Sequence, residues 1–260
     1  MSEDHIQFEK RGSIGFVKFN RPDKRNAFTT DMLRRVAEVF TEADDDADLR
    51  CLLVHGEGPD TTTGLDLMNV VPTFQAGEVP IGNEQVDPWH VVGRLRSKPM
   101  ITAAQGRCFT LGTEIALCSD ICVAARDTRF GQKEVRVGII PAGGGTFRFV
   151  QTAGYSNAMR YVLTGEEFDA VEAFRMGVVQ EVVEPGTQLE RAAELAQVIA
   201  AQAPLAVQAA LAHAQSALLD GWRKAIADIV PRERELINSE DAAEAAMAMM
   251  QRRPAAFKGR

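Results

Sequence analysis

The segment GRCFTLGTE, residues 106–114, joins a strand-like run that ends near Gln105 to an apolar, helix-compatible run that starts near Gly112. The first-turn amides of such a helix lack partners within it and carry the positive end of its dipole. Glu114 falls in that first turn. We therefore predict an α/β chain in which this junction presents free amides beside a carboxylate.

Two interpretations of Glu114 stay open on the residues alone. A carboxylate in the first turn of a helix commonly does no more than stabilise the helix dipole. A partly buried carboxylate can instead act as an acid or a base. The apolar neighbours Ile115, Ala116 and Leu117 would raise its pKa and favour that second role.

Strand and helix patterns alternate along the chain as far as Glu184. The predicted strands are residues 5–10 and 13–20, which form a hairpin, and residues 51–55, 100–105, 121–125 and 178–183. A helix capped by Thr29 or Thr30 follows the hairpin, because apolar residues recur there at helical spacing. Residues 69–88 carry three prolines and two glycines without periodicity and predict a loop or lid.

Helical periodicity dominates beyond Gly145. After Pro185 it continues through four segments, which are residues 191–201, 205–219, 221–236 and 241–252. We therefore predict an α/β core in residues 1–184 and a helical region in residues 185–260.

Composition and charge exclude several classes of partner. The 260 residues carry a formal net charge of -7 without a window rich in Lys and Arg, whereas nucleic-acid binding needs a basic face. No run approaches the roughly 20 apolar residues that span a membrane. The polar N-terminus lacks the layout of a signal peptide. We expect a cytoplasmic protein with no nucleic-acid and no membrane partner.

Neither the cysteines nor the histidines indicate a metal site. The four cysteines, without CxxC spacing, predict reduced and buried thiols, and a catalytic cysteine is the alternative. The four scattered histidines lack HExxH partners. There is no GxSxG nucleophile elbow. We expect no metal. The residues concerned are Cys51, Cys108, Cys118, Cys122, His5, His55, His90 and His213.

Three further segments have the composition of ligand-binding turns. Gly64 follows the strand 51–55 and would leave the amide of Leu65 free to face a ligand, although a plain turn explains the same residues. Glu134 ends the segment FGQKE, residues 130–134, and on its own would be a solvated loop residue. The glycine-rich turn at residues 138–146 leads into a helix and could place amides on an anion.

Taken in order, these segments resemble the crotonase, or enoyl-CoA hydratase/isomerase, family nearly from end to end. Each piece is weak alone, and the ordered set is specific. The matching pieces are NRPDKRNA (20–27), GLDL (64–67), KP (98–99), GRCFTLGTEIALCSD (106–120), FGQKE (130–134), GIIPAGGGT (138–146), LTG (163–165), AFRMGVV (173–179) and RPAAFKGR (253–260).

The resemblance implies a fold and an assembly. Residues 1–184 would form a right-handed spiral of ββα units with an acyl-CoA site. Residues 185–260 would form a helical region that builds a homotrimer, or a hexamer of paired trimers. Phe257 would reach the coenzyme A of a neighbouring subunit. Coenzyme A would enter as part of the substrate, so that no separate cofactor is implied.

The resemblance also implies the roles of site residues. The amides of Leu65 and Leu111 would form an oxyanion hole for the thioester carbonyl, and Glu114 and Glu134 would be the catalytic carboxylates. The residues that line coenzyme A would be Arg25, Ala27, Thr63, Asp66, Leu67, Met68 and Ala142.

The chain departs from the family pattern at three places, and these leave alternatives open. Thr110 and Leu111 stand where the family usually has glycines, threonines occupy residues 61–63, and Ala142 replaces a glycine. Both glutamates are present, which favours an enoyl-CoA hydratase over an isomerase, which needs one carboxylate. An isomerase or another crotonase-type acyl-CoA reaction is the first alternative. A catalytically weak acyl-CoA-binding protein is the other alternative. The sequence leaves the acyl-chain length open, and also which glutamate is the acid.

Overall fold

Gly12 separates two β-rich runs, and its φ of 60° lets the chain reverse between them. In the computed structural model, which describes residues 5–260 and only the backbone at residues 222 and 225, these runs form an antiparallel hairpin. Arg11 pairs with Ile14 at its closed end, so the predicted hairpin is confirmed. Residues 1–4 of the polar N-terminus lie outside the described residues.

Strands and helices alternate along the first two thirds of the chain. The strands are β1 Ile6–Arg11, β2 Ile14–Phe19, β3 Cys51–Gly56, β4 Met100–Ala104, β5 Arg107–Phe109, β6 Ile121–Ala125, β7 Arg129–Gly131, β8 Phe168–Asp169 and β9 Glu181–Val183. The helices are α1 Thr30–Asp45, α2 Leu67–Gln75, α3 Leu111–Cys118, α4 Gly145–Ala153, α5 Tyr155–Thr164, α6 Ala170–Arg175, α7 Gln188–Ala200, α8 Pro204–Leu219, α9 Trp222–Ile237 and α10 Glu240–Gln251.

The main sheet has six strands in the order β1-β2-β3-β4-β6-β9. Only β1 runs antiparallel to its neighbour, and the other pairs are parallel. Alternate side chains of β3 enter two different cores, because successive residues of a strand face opposite sides. Leu52 and Val54 pack with α1, whereas Cys51 and Leu53 pack with the alanines of α7. The sheet is therefore covered on both faces.

A second sheet of three strands, β5-β7-β8, lies beside the first. The chain passes from β4 into β5 at Gly106, which has a φ of 51°. A Cβ at this position would collide with the carbonyl oxygen of Pro59, so the turn requires glycine. The unit β4–β5–α3 is thus two strands in different sheets followed by a helix. The predicted α/β fold class, built from ββα units, is confirmed.

Helix α1 begins where the sequence predicts. The hydroxyl of Thr29 accepts a hydrogen bond of 3.2 Å from the N–H of Met32, which satisfies one of the free amides of the first turn. Met32, Leu33 and Val36 then lie buried on one face of the helix. The capping residue is Thr29 rather than Thr30.

The predicted loop at residues 69–88 is wrong in its first part, because α2 covers residues 67–75 with Pro72 inside it. Tertiary contacts hold this helix against the start of α1. Asn69 Oδ1 accepts 2.8 Å from the N–H of Thr30, and the hydroxyls of Thr30 and Thr73 lie 3.0 Å apart. Val70 is fully buried. These contacts offset the hydrogen bond that a proline removes from a helix.

The predicted strand at residues 178–183 is shorter in the structure, where β9 begins at Glu181. The N–H groups of Val178 and Val179 both donate to the carbonyl oxygen of Ala173. These two residues therefore end the turn after α6, and only Glu181–Val183 pair with β6.

The four C-terminal helices follow β9. Helix α7 packs on the sheet, whereas α8 has no buried side chain although it is rich in Ala and Leu. No single helix among the described residues has the length and apolar character to cross a membrane, and α7 and α8 meet such a criterion only together, with a bend of 107° between them. The division at residue 184 stays a prediction.

Candidate active site

The N–H of Leu65 is held in place by the segment that precedes α1. The N–H of Phe28 donates 2.8 Å to the carbonyl oxygen of Gly64, and the N–H of Asp66 donates 2.8 Å to the carbonyl oxygen of Phe28. Within residues 5–260 the N–H of Leu65, which lies between these two bonds, has no acceptor. Leu65 also lines a cavity, so this amide is a donor held ready for a ligand.

Asn26, the second asparagine of the NRPDKRNA segment, shows how that segment supports the site. It is fully buried, and its amide nitrogen donates to the carbonyl oxygens of Glu57 and Asp60 at 2.9 and 2.8 Å. The hydroxyl of Thr62 donates 2.7 Å to the carbonyl oxygen of Asn26. The N-terminal motif therefore fixes the backbone on which Leu65 lies.

The N–H of Leu111 is the first of α3, and like that of Leu65 it has no acceptor among the described residues. The preceding residue, Thr110, has φ 50° and ψ -113°, a conformation that β-branched residues rarely adopt. The glycine-to-threonine departure therefore strains the backbone at Thr110, whereas Leu111 itself is helical. Strain of this kind is concentrated at functional sites.

Gly64 and Thr110 bring the two free amides together. The N–H of Phe109 donates 3.0 Å to the carbonyl oxygen of Thr62, which aligns the two segments side by side. Gly64 has a φ of 96°, and a Cβ on it would collide with the hydroxyl of Thr110. Only glycine permits this approach.

Glu114 is a buried carboxylate with defined partners. Its side chain is 1% exposed, and its Oε1 accepts 2.9 Å from the N–H of Gly145. Burial raises the pKa of Glu114 to about 7, against the lowering effect of the backbone N–H groups of Gly145 and Gly143. A Cβ on Gly143 would lie 2.6 Å from Glu114 Oε2, so the predicted glycine-rich turn forms a close cradle for this carboxylate.

Glu134 is the buried first residue of a 3-10 turn and not a solvated loop residue. Burial, together with the neighbouring charge of Glu114, raises the pKa of Glu134 to about 8. The amide nitrogen of Gln132, oriented by its hydrogen-bonding surroundings, lies 3.1 and 3.2 Å from the two carboxylate oxygens of Glu134. Gln132 is itself fully buried. This contact fixes the direction in which the carboxylate faces.

The two glutamates and the two free amides border one cavity of about 220 Å³. Its lining residues are Thr63, Leu65, Leu67, Thr110, Leu111, Glu114, Lys133, Glu134, Val137, Ile139, Ile140, Ala142 and Gly143. Seven of the residues with a predicted role therefore lie together. Ala142 is not among the described residues with a positive φ, so alanine replaces a glycine there without strain.

The other predicted ligand contacts lie outside this cavity. Arg25 is exposed, and its carbonyl oxygen accepts 3.1 Å from the N–H of Thr63. Asp66 forms an ion pair of 2.9 Å with Arg21, and Met68 is 90% exposed. Phe257 lies near the C-terminus, where its carbonyl oxygen accepts 2.7 Å from Arg50.

Ala27 also lies outside the cavity. Its carbonyl oxygen accepts 2.9 Å from the guanidinium of Arg21. The backbone of Ala27 is thereby tied to the same arginine that pairs with Asp66.

Two side chains that shape the site have no role in the sequence-based interpretation. Trp89 is buried, and its Nε1 donates 3.0 Å to the carbonyl oxygen of Leu111. Asp87 is buried beside it and accepts hydrogen bonds from the backbone of Trp89, Val91 and Val92. Asp87 lies near the end of the segment without periodicity, residues 69–88, and Trp89 follows that segment directly. An aromatic residue next to a predicted loop was the one available signal.

The cysteines and histidines contribute no nucleophile to this cavity. All four cysteines are free and buried, as predicted, and burial raises the pKa of Cys51 and Cys122 to about 12. Burial lowers the pKa of His90 to about 3. Across residues 5–260 no three His, Cys, Asp or Glu side chains are grouped as ligands for a metal ion. The absence of a metal stays an expectation.

This arrangement has a definite chemical capacity. Two backbone N–H groups at one cavity can stabilise an oxygen atom on which negative charge develops. Two carboxyl groups with raised pKa values can exchange protons with a reacting molecule near neutral pH. The cavity is therefore suited to a reaction that passes through an oxyanion and moves protons at two atoms.

Comparisons with known proteins agree with this chemistry. A family model for enoyl-CoA hydratase/isomerase matches residues 9–260. Enoyl-CoA hydratase EchA19 of Mycobacterium tuberculosis is 37% identical over 208 residues, which are 78% of this chain and 77% of that protein. The short-chain-enoyl-CoA hydratase of Clostridium acetobutylicum is 34% identical over 80% of each chain. The crystal structure of a probable enoyl-CoA hydratase/isomerase from Mycobacterium abscessus has a TM-score of 0.95 and 44% identity, covering 99% of both chains.

Proposed function

This chain belongs to the enoyl-CoA hydratase/isomerase family, and on that basis we propose that it is an enoyl-CoA hydratase that adds water to a trans-2-enoyl-CoA thioester. One observation carries the proposal. Glu114 and Glu134, each with a raised pKa, border the same cavity as the free amides of Leu65 and Leu111. Relatives of this chain named enoyl-CoA hydratase support the same reaction.

In the proposed mechanism the thioester carbonyl oxygen accepts hydrogen bonds from the N–H groups of Leu65 and Leu111. The oxygen of a water molecule bonds to the β-carbon while the ionised glutamate takes a proton from that water. The electrons of the double bond move toward the carbonyl oxygen and form an enolate, which the two amides stabilise. Loss of one such donor typically costs about 3 kcal/mol of barrier height.

The second glutamate completes the reaction by giving its proton to the α-carbon. The two carboxyl groups must therefore differ in protonation when the substrate binds. Two acidic groups that lie close together do not both ionise readily, because their negative charges repel each other. For this reason the charge of Glu114 raises the pKa of Glu134. The two titrations belong to the pair. General acid–base catalysis of this kind contributes about 10²–10⁴-fold.

We also propose the contacts of coenzyme A. Thr63, Leu67 and Ala142 line the cavity and would surround the thioester end of the ligand. The other proposed contacts lie outside it and would meet the remainder of coenzyme A, with Phe257 contributed by another copy of the chain. These are Arg25, Ala27, Asp66 and Met68. No separate cofactor is part of the proposal.

The exposed apolar residues of the C-terminal helices support a homotrimer or a hexamer. Leu218, Ile226 and Val230 are each at least 64% exposed, and contiguous exposed apolar surface marks contact sites. Light scattering on the full chain should give about three or six times the chain mass of 28.4 kDa. A monomer at all concentrations would contradict the assembly.

A hydration assay tests the proposed function. Loss of the conjugated absorbance of a trans-2-enoyl-CoA is followed with purified protein across short, medium and long chains. We expect loss of absorbance together with formation of the 3-hydroxyacyl product. If no chain length is hydrated but 3-enoyl-CoA is converted to its 2-enoyl isomer, the protein is an isomerase. Ligand-induced thermal stabilisation without any turnover would instead indicate a binding protein.

A further inference from the structure

A second cavity, of about 830 Å³, adjoins the site and is larger than the first. The two cavities share seven lining residues and are therefore directly adjacent. The shared residues are Leu65, Leu67, Leu111, Ile139, Ile140, Ala142 and Gly143. A molecule whose carbonyl oxygen lies at the amides of Leu65 and Leu111 would have this larger cavity directly available to the rest of its chain.

The wall of the larger cavity is almost entirely apolar. The buried part includes Leu33, Val70, Ile81 and Trp89. Its outer part includes Phe74, which is 46% exposed. The cavity therefore begins at the reacting atoms and opens at the protein surface.

The polar groups of this wall either form hydrogen bonds within the protein or lie at the end of the cavity that opens to solvent. Asp87 accepts the N–H groups of Trp89, Val91 and Val92 at 3.0, 2.8 and 3.0 Å. The indole N–H of Trp89 is held by Leu111, and Gln75 is exposed. None of the described lining residues is Lys, Arg or His. The cavity thus offers no cation to a substrate that ends in a carboxylate.

The volume of the larger cavity is too great for a short acyl group to be the best fit. Cavities of about 300–1,000 Å³ hold drug-sized ligands, and 830 Å³ lies in that range. A four-carbon crotonyl group would leave most of the apolar wall facing water. Burial of each further methylene strengthens binding about fourfold, the equivalent of about 0.8 kcal/mol. A longer apolar chain would therefore gain affinity with each added carbon until it reached the surface.

We propose that the acyl group of the substrate is a long, apolar chain that lies in this 830 Å³ cavity, and that chains ending in a carboxylate are rejected. The inference rests on the proposed hydratase function and deepens it. It sets this chain apart from the relative named for short-chain substrates, to which it is 34% identical.

The test compares kcat/KM for hydration of three unbranched trans-2-enoyl-CoA thioesters: crotonyl, octenoyl and dodecenoyl. We expect dodecenoyl-CoA to exceed crotonyl-CoA by at least about 100-fold, with octenoyl-CoA between them. Highest activity with crotonyl-CoA would overturn the inference and leave the proposed function intact. Hydration of none of them would refute the proposed function itself.

A matched pair of substrates tests the charge argument. Trans-2-hexenoyl-CoA and its counterpart with a terminal carboxylate have the same chain length. We expect the carboxylate to lower kcat/KM by at least about tenfold, because a charge in an apolar cavity loses its hydration without gaining a partner. Equal kcat/KM values for the two would contradict the absence of a polar subsite.

A substitution in α2 tests whether the acyl chain of the substrate lies in the larger cavity. Val71 lines the larger cavity and not the smaller one, and Val71→Trp should fill part of it. We expect the ratio of dodecenoyl to crotonyl kcat/KM to fall at least about tenfold. Val171→Trp is the matched control, because Val171 on α6 is exposed and lines neither cavity. The same fall in both variants, or in neither, would place the acyl chain elsewhere.

Discussion

The indole Nε1 of Trp89 donates a hydrogen bond of 3.0 Å to the carbonyl oxygen of Leu111, the residue whose N–H is one of the two free amides of the site. The ring of Trp89 also packs edge-on against Phe28 at 5.7 Å. Phe28 in turn holds the backbone around Leu65. A single aromatic side chain thus links the two segments that carry the amides.

Trp89 is accordingly a positioning residue for the oxyanion hole. Trp89→Phe removes the N–H and keeps an aromatic ring, so we expect kcat to fall about tenfold, the usual value of one hydrogen bond, while KM changes little. Steady-state kinetics separates the two effects. Tyr161→Phe is the control, because it removes the hydrogen bond that another aromatic side chain donates, to Glu172, away from the site. A fall in kcat of equal size in both variants would show a general structural effect.

Thr110 stores strain that glycine would release. Its φ of 50° with ψ of -113° costs about 1–3 kcal/mol for a residue with a Cβ. Thr110→Gly should relieve this strain, but glycine also makes the unfolded chain more flexible, which reduces the gain. We therefore expect the free energy of unfolding to rise by about 1 kcal/mol. Urea denaturation measures the change. Thr110→Ala, which keeps a Cβ, should be less stable than Thr110→Gly, and the reverse order would contradict the strain.

The sequence predicts the sheet and the four site segments because these depend on local pattern. The apolar run of β3 and a cap at Thr29 or Thr30 are visible without the fold. Helix α2 is not predictable in this way. Pro72 is unfavourable within a helix, and the contacts of Asn69 with Thr30 that outweigh it join residues 39 positions apart.

The site shows the same division between local pattern and distant contact. Glu134 is a loop residue by local pattern and a buried acid in the structure, because burial depends on what packs around it. The bond from Trp89 to Leu111 spans 22 residues and leaves no local signal. The motifs could therefore be recognised from the sequence, whereas the residues that orient them required the structure.

The two raised pKa values set the pH dependence of the reaction. Hydration needs one ionised and one protonated carboxyl group. Below the first pKa, about 7, both groups hold protons and no base remains. Above the second, about 8, both are ionised and no acid remains. We expect a bell-shaped profile of kcat/KM against pH, with its maximum between these values.

The control for this profile is circular dichroism over the same pH range, which shows whether the protein stays folded. A profile that stays flat from about pH 6 to about pH 9 with the protein folded would be incompatible with two titrating groups. A profile with only one ionisation would show that only one of the two carboxyl groups takes part in the reaction.

The central claim, that Glu114 and Glu134 act together in hydration, is tested most directly by kcat in Glu114→Gln, Glu134→Gln and the double variant. Glutamine keeps the shape and an acceptor oxygen but cannot exchange a proton near neutral pH. Each single variant should lose at least about 10²-fold in kcat. The double variant should lose less than the product of the two, because the residues act as a unit. Glu190→Gln, on the exposed face of α7, is the control and should keep the activity of the native enzyme. A fully active Glu114→Gln beside an inactive Glu134→Gln would contradict the two-carboxylate mechanism.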